Sequence, residues 1–83
     1  MKTVRYLPAA QRALLTHRNM AERIRSKVRD YAENPAALAN VVTELRGGIG
    51  KRLRVGDFRV IFEETETEII VTKIGPRGRI YED

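Results

Sequence analysis

The sequence predicts an α+β domain in which an N-terminal strand and a two-helix hairpin pack on a mainly antiparallel sheet. Two observations lead to this prediction. Apolar residues recur at helical spacing between residues 9 and 33, and they alternate with polar residues on both sides of a Gly-Asp turn at 56–57. A chain of 83 residues is long enough for one hydrophobic core, so we expect a single domain over residues 1–83.

The N-terminal part predicts one strand followed by two helices. Residues 2–7 alternate as a strand does, and Pro8 ends that strand because proline suits the first turn of a helix. We expect a first helix from Ala9 to about Arg18 and a second from an Asn19 cap to about Glu33, where Asn34-Pro35 stops it. The second helix has an apolar face formed by Met20, Ala21, Ile24, Val28, Tyr31 and Ala32. Its basic residues, Arg23, Arg25, Lys27 and Arg29, are interpreted as a solvated face, with contact to RNA as the less favoured alternative.

The C-terminal part predicts the sheet. Residues 36–45 indicate a short helix or turn, and glycines at 47, 48 and 50 form a flexible lead into the hairpin. A type II′ turn beginning at Gly56 would pair Val55 with Phe58 and Leu53 with Val60. Residues 65–67 then predict a turn and 68–74 a strand covered on both sides, because its apolar run does not alternate. Residues 79–81 are expected to add a final short strand.

The predicted hairpin has one apolar and one basic face. The apolar face carries Leu53, Val55, Phe58, Val60 and Phe62. On the other face Arg54 lies opposite Arg59, with Arg52 beside them. Because like charges directly opposite each other repel, an anion between these arginines would be stabilising. The simpler interpretation is that water solvates this basic face. Because no acidic residue lies among the three arginines, a bound anion is the alternative interpretation.

Composition narrows the classes of function. The chain has no cysteine, which excludes disulfides, thiolate metal sites and a cysteine nucleophile. Its only histidine, His17, lies on a helical stripe and is interpreted as a core-edge or capping residue, so we predict neither a metal nor a cofactor. No apolar run approaches the ~20 residues of a membrane span and no signal peptide is evident, so we expect a cytoplasmic protein without membrane contact. A net charge of +5 favours a polyanionic or acidic partner.

The residues that remain as candidates favour the binding of phosphate groups and chemistry at phosphorus. Arginines bind phosphates and stabilise the extra charge of a pentavalent phosphorus, but they stay protonated and cannot act as a general base. RNA supplies its own nucleophile in the 2′-hydroxyl, so positioning and charge neutralisation can achieve much of its cleavage. Tyr81 is expected to stack on a base, to move a proton, or only to cap the sheet edge.

Three segments resemble the signature of the RelE/ParE toxin superfamily: residues 45–47, the hairpin 52–63 and the closing residues 74–81, which are similar to the RelE branch. The resemblance implies a toxin that cleaves messenger RNA in the ribosomal A site without a metal, leaving a 2′,3′-cyclic phosphate and a 5′-hydroxyl. It also implies a cognate antitoxin that neutralises the toxin and that supplies any contacts to operator DNA.

The resemblance assigns roles to particular residues. Arg59, Arg77 and Tyr81 match the catalytic positions of the superfamily. Lys51, Arg52, Arg54, Arg79 and Arg46 are the predicted RNA-binding residues. Gly50 departs from the pattern, because some members carry a lysine there. The alternatives are a ParE-like inhibitor of DNA gyrase without nuclease activity, and a catalytically weak relative that binds a partner.

Overall fold

The computed structural model describes residues 1–48 and 50–80, and within them the chain forms two helices and five strands in the predicted class. In chain order the elements are β1 (Thr3–Tyr6), α1 (Pro8–Thr16), α2 (Arg18–Glu33), a 3₁₀ helix (Pro35–Val41), β2 (Val42–Glu44), a 3₁₀ turn (Arg46–Gly48), β3 (Lys51–Val55), β4 (Phe58–Glu64) and β5 (Glu68–Pro76). No helix in the described part of the chain is long and apolar enough to cross a membrane.

The five strands form one sheet in the order β1-β5-β4-β3-β2. Three of the four strand pairs are antiparallel, and β1 pairs with β5 in parallel. This confirms the prediction of a mainly antiparallel sheet. The first and last strands of the described chain are neighbours, so β1 forms one edge of the sheet and β5 separates it from the hairpin of β3 and β4.

Helices α1 and α2 cover one face of the sheet and form the core with it. Its sheet side includes Leu53, Val55, Val60 and Phe62, which are almost fully buried, as the predicted apolar face of the hairpin requires. From the helices, the buried residues are Ala10, Leu14, Ile24, Val28, Tyr31 and Ala32. The Tyr31 and Phe62 rings lie 5.2 Å apart, so the second helix is joined to the middle of the sheet by an aromatic contact.

A β-bulge interrupts the alternation of β5 between Val71 and Lys73. Ile61 pairs with Lys73, whereas its neighbour Phe62 pairs with Val71, so Thr72 is an extra residue in β5. The Thr72 hydroxyl donates a hydrogen bond of 3.2 Å to the Ile61 carbonyl oxygen. The bulge allows both Val71 and Ile74 to face the helices. The expectation of a strand covered on both sides is therefore corrected, because Lys73 on the opposite face is exposed.

Three predicted boundaries differ from the structure. Helix α2 begins at Arg18 with His17 in the cap position, so Asn19 is a helical residue and not the cap. Residues 42–44 form the edge strand β2, which pairs Val42 with Leu53, instead of ending a short helix. Residue 79 ends a turn over residues 77–79 and residue 80 lies in a bend, so neither forms the predicted final strand, and residue 81 lies outside the described range.

Candidate anion-binding site

The hairpin has the register predicted from the sequence. Val55 pairs with Phe58, Leu53 with Val60, and Arg54 with Arg59. Gly56 has a φ of +59°, and Asp57, like every described residue other than glycine, has a negative φ, so the turn matches the predicted type II′ geometry. Arg54 and Arg59 therefore share the sheet face that points away from α1 and α2, and Arg52 lies on the same face opposite Ile61.

Strand β5 brings the closing turn, residues 77–80, to this pair of arginines. Arg59 pairs with Gly75, and the Arg77 amide donates a hydrogen bond to the Asp57 carbonyl oxygen at 2.6 Å. A Cβ at position 75 would lie 3.7 Å from the Ile80 Cβ, which shows that the chain folds back over this end of the strand. The β5 pairing and the Arg77 amide thus place Arg59 and Arg77, which are far apart in sequence, at the same end of the sheet.

The guanidinium of Arg59 is held against the hairpin turn. Its Nη1 atom donates to the carbonyl oxygens of Phe58 at 3.2 Å and Gly56 at 3.4 Å. Arg54, Arg77 and Arg79 are exposed. Within residues 1–48 and 50–80, no acidic side chain forms an ion pair with any of these four arginines. Among the described residues, these four arginines therefore present positive charge without an acidic partner, which suits a bound polyanion.

Lys51 lies on the opposite face of the sheet from these arginines. Its Nζ atom contacts Glu64 Oε1 at 2.7 Å and the Tyr31 hydroxyl at 3.3 Å. Glu64 also accepts hydrogen bonds from Lys2 Nζ and from the Tyr31 hydroxyl, both at 2.8 Å. The structure thus separates Lys51 from the arginine face, as the alternation of β3 implies, and its role in RNA binding stays a prediction.

The pKa values of this cluster are coupled through Glu64. Burial by itself would raise the pKa of Glu64, but hydrogen bonds from Lys2, Lys51 and Tyr31 outweigh burial and lower the pKa to about 2. The hydrogen bond to Glu64 raises the pKa of Lys51. Burial, and then the hydrogen bond to Glu64, raise the pKa of Tyr31. Lys51 is therefore stabilised in its charged form, which makes it a poor proton acceptor at neutral pH.

Gly50 occupies a position that does not accommodate a side chain. Its φ is +141°, and a Cβ there would lie 2.8 Å from the Phe62 carbonyl oxygen. The chain crosses close to strand β4 at this point, which only glycine permits without a shift of the backbone. The local backbone conformation therefore disfavours a lysine, or any other side chain, at position 50.

Two further predicted residues are not placed by the structure. Tyr81 lies outside the described residues, and so does the side chain of Arg46. The structure adds Lys73, which the sequence analysis did not single out. Lys73 pairs with Ile61 on the arginine face because the bulge at Thr72 reverses the alternation of β5. A lysine within an apolar run was the signal that could have revealed both the bulge and this residue.

The described residues contain no group of three or more His, Asp and Glu side chains arranged to hold a metal ion.

Comparisons with known proteins agree with the resemblance noted from the sequence. Residues 2–81 match the sequence model of the family described as the ParE toxin of the type II toxin–antitoxin system parDE. The fold is similar to that in the crystal structure of the archaeal RelE–RelB complex from Pyrococcus horikoshii OT3. That match has a TM-score of 0.75 and 24% identity, and it covers 95% of this chain and 98% of the other. No curated protein matches the sequence. The chain belongs to the ParE toxin family, within the RelE/ParE superfamily, and is a toxin of a type II toxin–antitoxin system.

Proposed function

We propose that this toxin is a ribosome-dependent endoribonuclease that cleaves messenger RNA in the A site. The observation that carries the proposal is the direct opposition of Arg54 and Arg59 on the sheet face away from the helices, with Arg77 tied to the same end of the sheet. A folding argument does not account for two opposed arginines, whereas a phosphate between them does.

The proposed reaction uses the nucleophile that RNA carries. The 2′-oxygen attacks the adjacent phosphorus, the bond from phosphorus to the 5′-oxygen breaks, and the products are a 2′,3′-cyclic phosphate and a 5′-hydroxyl. Arg59 and Arg77 would neutralise the charge that develops on the phosphorane. Both stay protonated throughout, so another group or water takes the proton of the 2′-hydroxyl, and the leaving 5′-oxygen takes up a proton to become the 5′-hydroxyl. Much of the acceleration would come from holding the RNA in line for attack.

The other predicted residues take supporting roles in this proposal. Arg52, Arg54, Arg46 and Arg79 would contact neighbouring phosphates, and Tyr81 would stack on or orient the nucleotide. An antitoxin is the proposed protein partner, because the similar archaeal RelE is found in complex with RelB. An acidic antitoxin segment laid over the arginine face would block access to RNA. Contacts to operator DNA would come from the antitoxin.

The test is cleavage of a defined messenger RNA by purified toxin, with and without programmed ribosomes, mapped at nucleotide resolution. We expect cuts within A-site codons that require ribosomes and that disappear in Arg59→Ala and Arg77→Ala. Arg5→Ala is the matched control, because Arg5 is an exposed arginine on strand β1 that is paired with Glu68. The Arg5→Ala variant should still cleave the messenger RNA. Undiminished cleavage in both Arg59→Ala and Arg77→Ala would contradict the assigned residues.

A second candidate is inhibition of DNA gyrase without nuclease activity. Two observations favour it: the matching family model is that of ParE toxins, and Lys51 is turned away from the arginines while position 50 holds no side chain. A supercoiling assay with purified gyrase separates the two candidates. Loss of supercoiling by a toxin that cuts no RNA on ribosomes would select the gyrase function.

A further inference from the structure

Arg23 of helix α2 lies directly against the hairpin turn. A Cβ at Gly56 would be 3.4 Å from Arg23 Nη2 and 3.9 Å from its Cζ, which places the guanidinium next to the turn. Arg23 is exposed, and within residues 1–48 and 50–80 no acidic side chain forms an ion pair with it. An unpaired guanidinium therefore lies at the tip of the hairpin.

Lys27 extends this positive charge along the helix. It follows Arg23 by four residues, so the two side chains project from neighbouring points on one side of α2. Both border a shallow surface depression together with Glu22 and Ser26, and neither is paired with Glu22 in the part of the chain that the structure describes. The other two basic residues in the middle of the helix face β1 instead: Arg25 lies over the Tyr6 ring at 5.4 Å, and Arg29 borders the same surface near Met1.

The hairpin turn connects this pair to the arginine face. On one side of the turn, Arg59 Nη1 donates to the carbonyl oxygen of Gly56 at 3.4 Å. On the other side, the Arg23 guanidinium lies close to the same glycine, with Nη2 3.4 Å from where a Cβ would stand. Both positive charges therefore lie next to the hairpin turn. A strand of phosphates bound at Arg54 and Arg59 can therefore continue around the turn to Arg23.

We propose that Arg23 and Lys27 form a second phosphate-binding site, which holds the RNA backbone outside the cleaved phosphate and is continuous with the arginine face around the hairpin turn. The identity of the ligand as RNA rests on the proposed function. Exposed, unpaired cations suit the sugar–phosphate backbone, whose charge is recognised without base contacts. Bound there, the RNA would be anchored on both sides of the hairpin tip, which would favour the in-line geometry at Arg59.

The test compares two double variants that lose the same charge from the same helix. Arg23→Gln/Lys27→Gln removes the proposed site, and Arg25→Gln/Arg29→Gln is the matched control on the β1 side. The probe is a fluorescent single-stranded RNA of twelve 2′-O-methyl nucleotides, which cannot be cleaved. Affinity is measured by fluorescence anisotropy over a range of salt concentrations, and circular dichroism verifies folding. Arg23→Lys/Lys27→Arg keeps the charge and should retain binding.

For two phosphate contacts, we expect the slope of log affinity against log salt to fall by about 1.4 in Arg23→Gln/Lys27→Gln, with a loss of roughly ten- to thirtyfold at 0.1 M salt. The control pair should change the slope by less than half as much. Equal losses in the two pairs would overturn the proposal, since net charge alone would then explain binding. Undiminished RNA binding in the first pair would also overturn it, and loss of growth arrest in that variant would then indicate a protein ligand.

A different result would refute the proposed nuclease function. A wild-type toxin that binds the probe through Arg23 and Lys27 yet cuts nothing on ribosomes would refute the nuclease and leave the second site intact. Ribosome-dependent cutting together with equal binding by both double variants would refute the second site and leave the nuclease intact.

Discussion

Lys51 and Glu64 form an ion pair of 2.7 Å on the helix-covered face of the sheet. Lys2 and Tyr31 bind the same carboxylate, so the N-terminal segment, helix α2 and strands β3 and β4 meet at one acidic side chain that is only 12% exposed. This cluster lies on the side of the hairpin away from Arg54 and Arg59. It therefore has a structural role that can be tested separately from RNA binding.

Glu64 should make the stability of the fold sensitive to acid. Its pKa in the folded protein is about 2, below the ordinary value of 4.5, so its contribution is fully present above about pH 4.5 and is lost as the pH falls towards 2. We expect Glu64→Gln to lower the free energy of unfolding at pH 7 by about 1–3 kcal/mol and to flatten its pH dependence in this window. Urea denaturation between pH 2 and 7 measures both quantities.

The control for this prediction is Glu66→Gln, which removes an exposed carboxylate two residues away. It should change the free energy of unfolding by less than about 0.5 kcal/mol. If Glu64→Gln kept the full acid sensitivity of the wild type, another group would be responsible for it.

Lys51→Met distinguishes a structural lysine from an RNA-binding one. Because Lys51 Nζ contacts Glu64 and Tyr31, we expect the variant to lose about 1–2 kcal/mol of stability. Its kcat/KM for ribosome-dependent cleavage, measured well below its melting temperature, should stay within about threefold of wild type. A large loss of activity at unchanged stability would instead support the direct role in RNA binding predicted from the sequence.

Arg54→Gln should separate stability from function in the opposite direction. The substitution removes the repulsion across the strands from Arg59, so we expect stability to rise by about 0.2–1 kcal/mol. RNA affinity should fall, with a salt slope smaller by about 0.7 if one phosphate contact is lost. Thermal denaturation and the anisotropy assay measure the two effects. A destabilised protein with unchanged RNA affinity would argue that Arg54 only serves the fold.

Gly50→Ala should be much more damaging than Gly48→Ala. Both glycines have a positive φ, +141° and +69°, but a Cβ at Gly48 meets no atom within 4 Å, whereas at Gly50 it approaches the Phe62 carbonyl oxygen to 2.8 Å. We expect a loss of about 1–2 kcal/mol for Gly48→Ala and about 2–4 kcal/mol for Gly50→Ala. Denaturant midpoints report the difference. Equal losses of stability in the two variants would show that the backbone at residue 50 shifts at little cost in free energy.

Several parts of the fold and of the candidate site could be predicted because the signal is local. The alternation around Gly56 gave the register that places Arg54 opposite Arg59, since a shift of one residue would have exposed Leu53, Val55 and Val60. The 3.6-residue spacing in α2 likewise identified the buried positions of that helix. The resemblance to the superfamily added Arg77, whose position at the same end of the sheet as Arg59 depends on the register between β4 and β5.

The features missed are those with weak local signals. Strand β2 is only three residues long and is defined by its pairing with β3. The bulge at Thr72 changes which side chains of β5 face the core, and it turned Lys73 to the arginine face. Helix α2 was assigned a basic surface, but the sequence did not indicate which of its cations would meet the hairpin.

The sequence by itself determined the register of the hairpin, the buried face of α2 and the concentration of positive charge, because periodicity and composition act over a few residues. Only the tertiary structure decided that Lys51 would bind Glu64, that Gly50 would lie against Phe62, and that Arg23 would reach the turn at Gly56. These contacts join segments distant in the chain. They depend on how the helices and strands pack together, which no local pattern specifies.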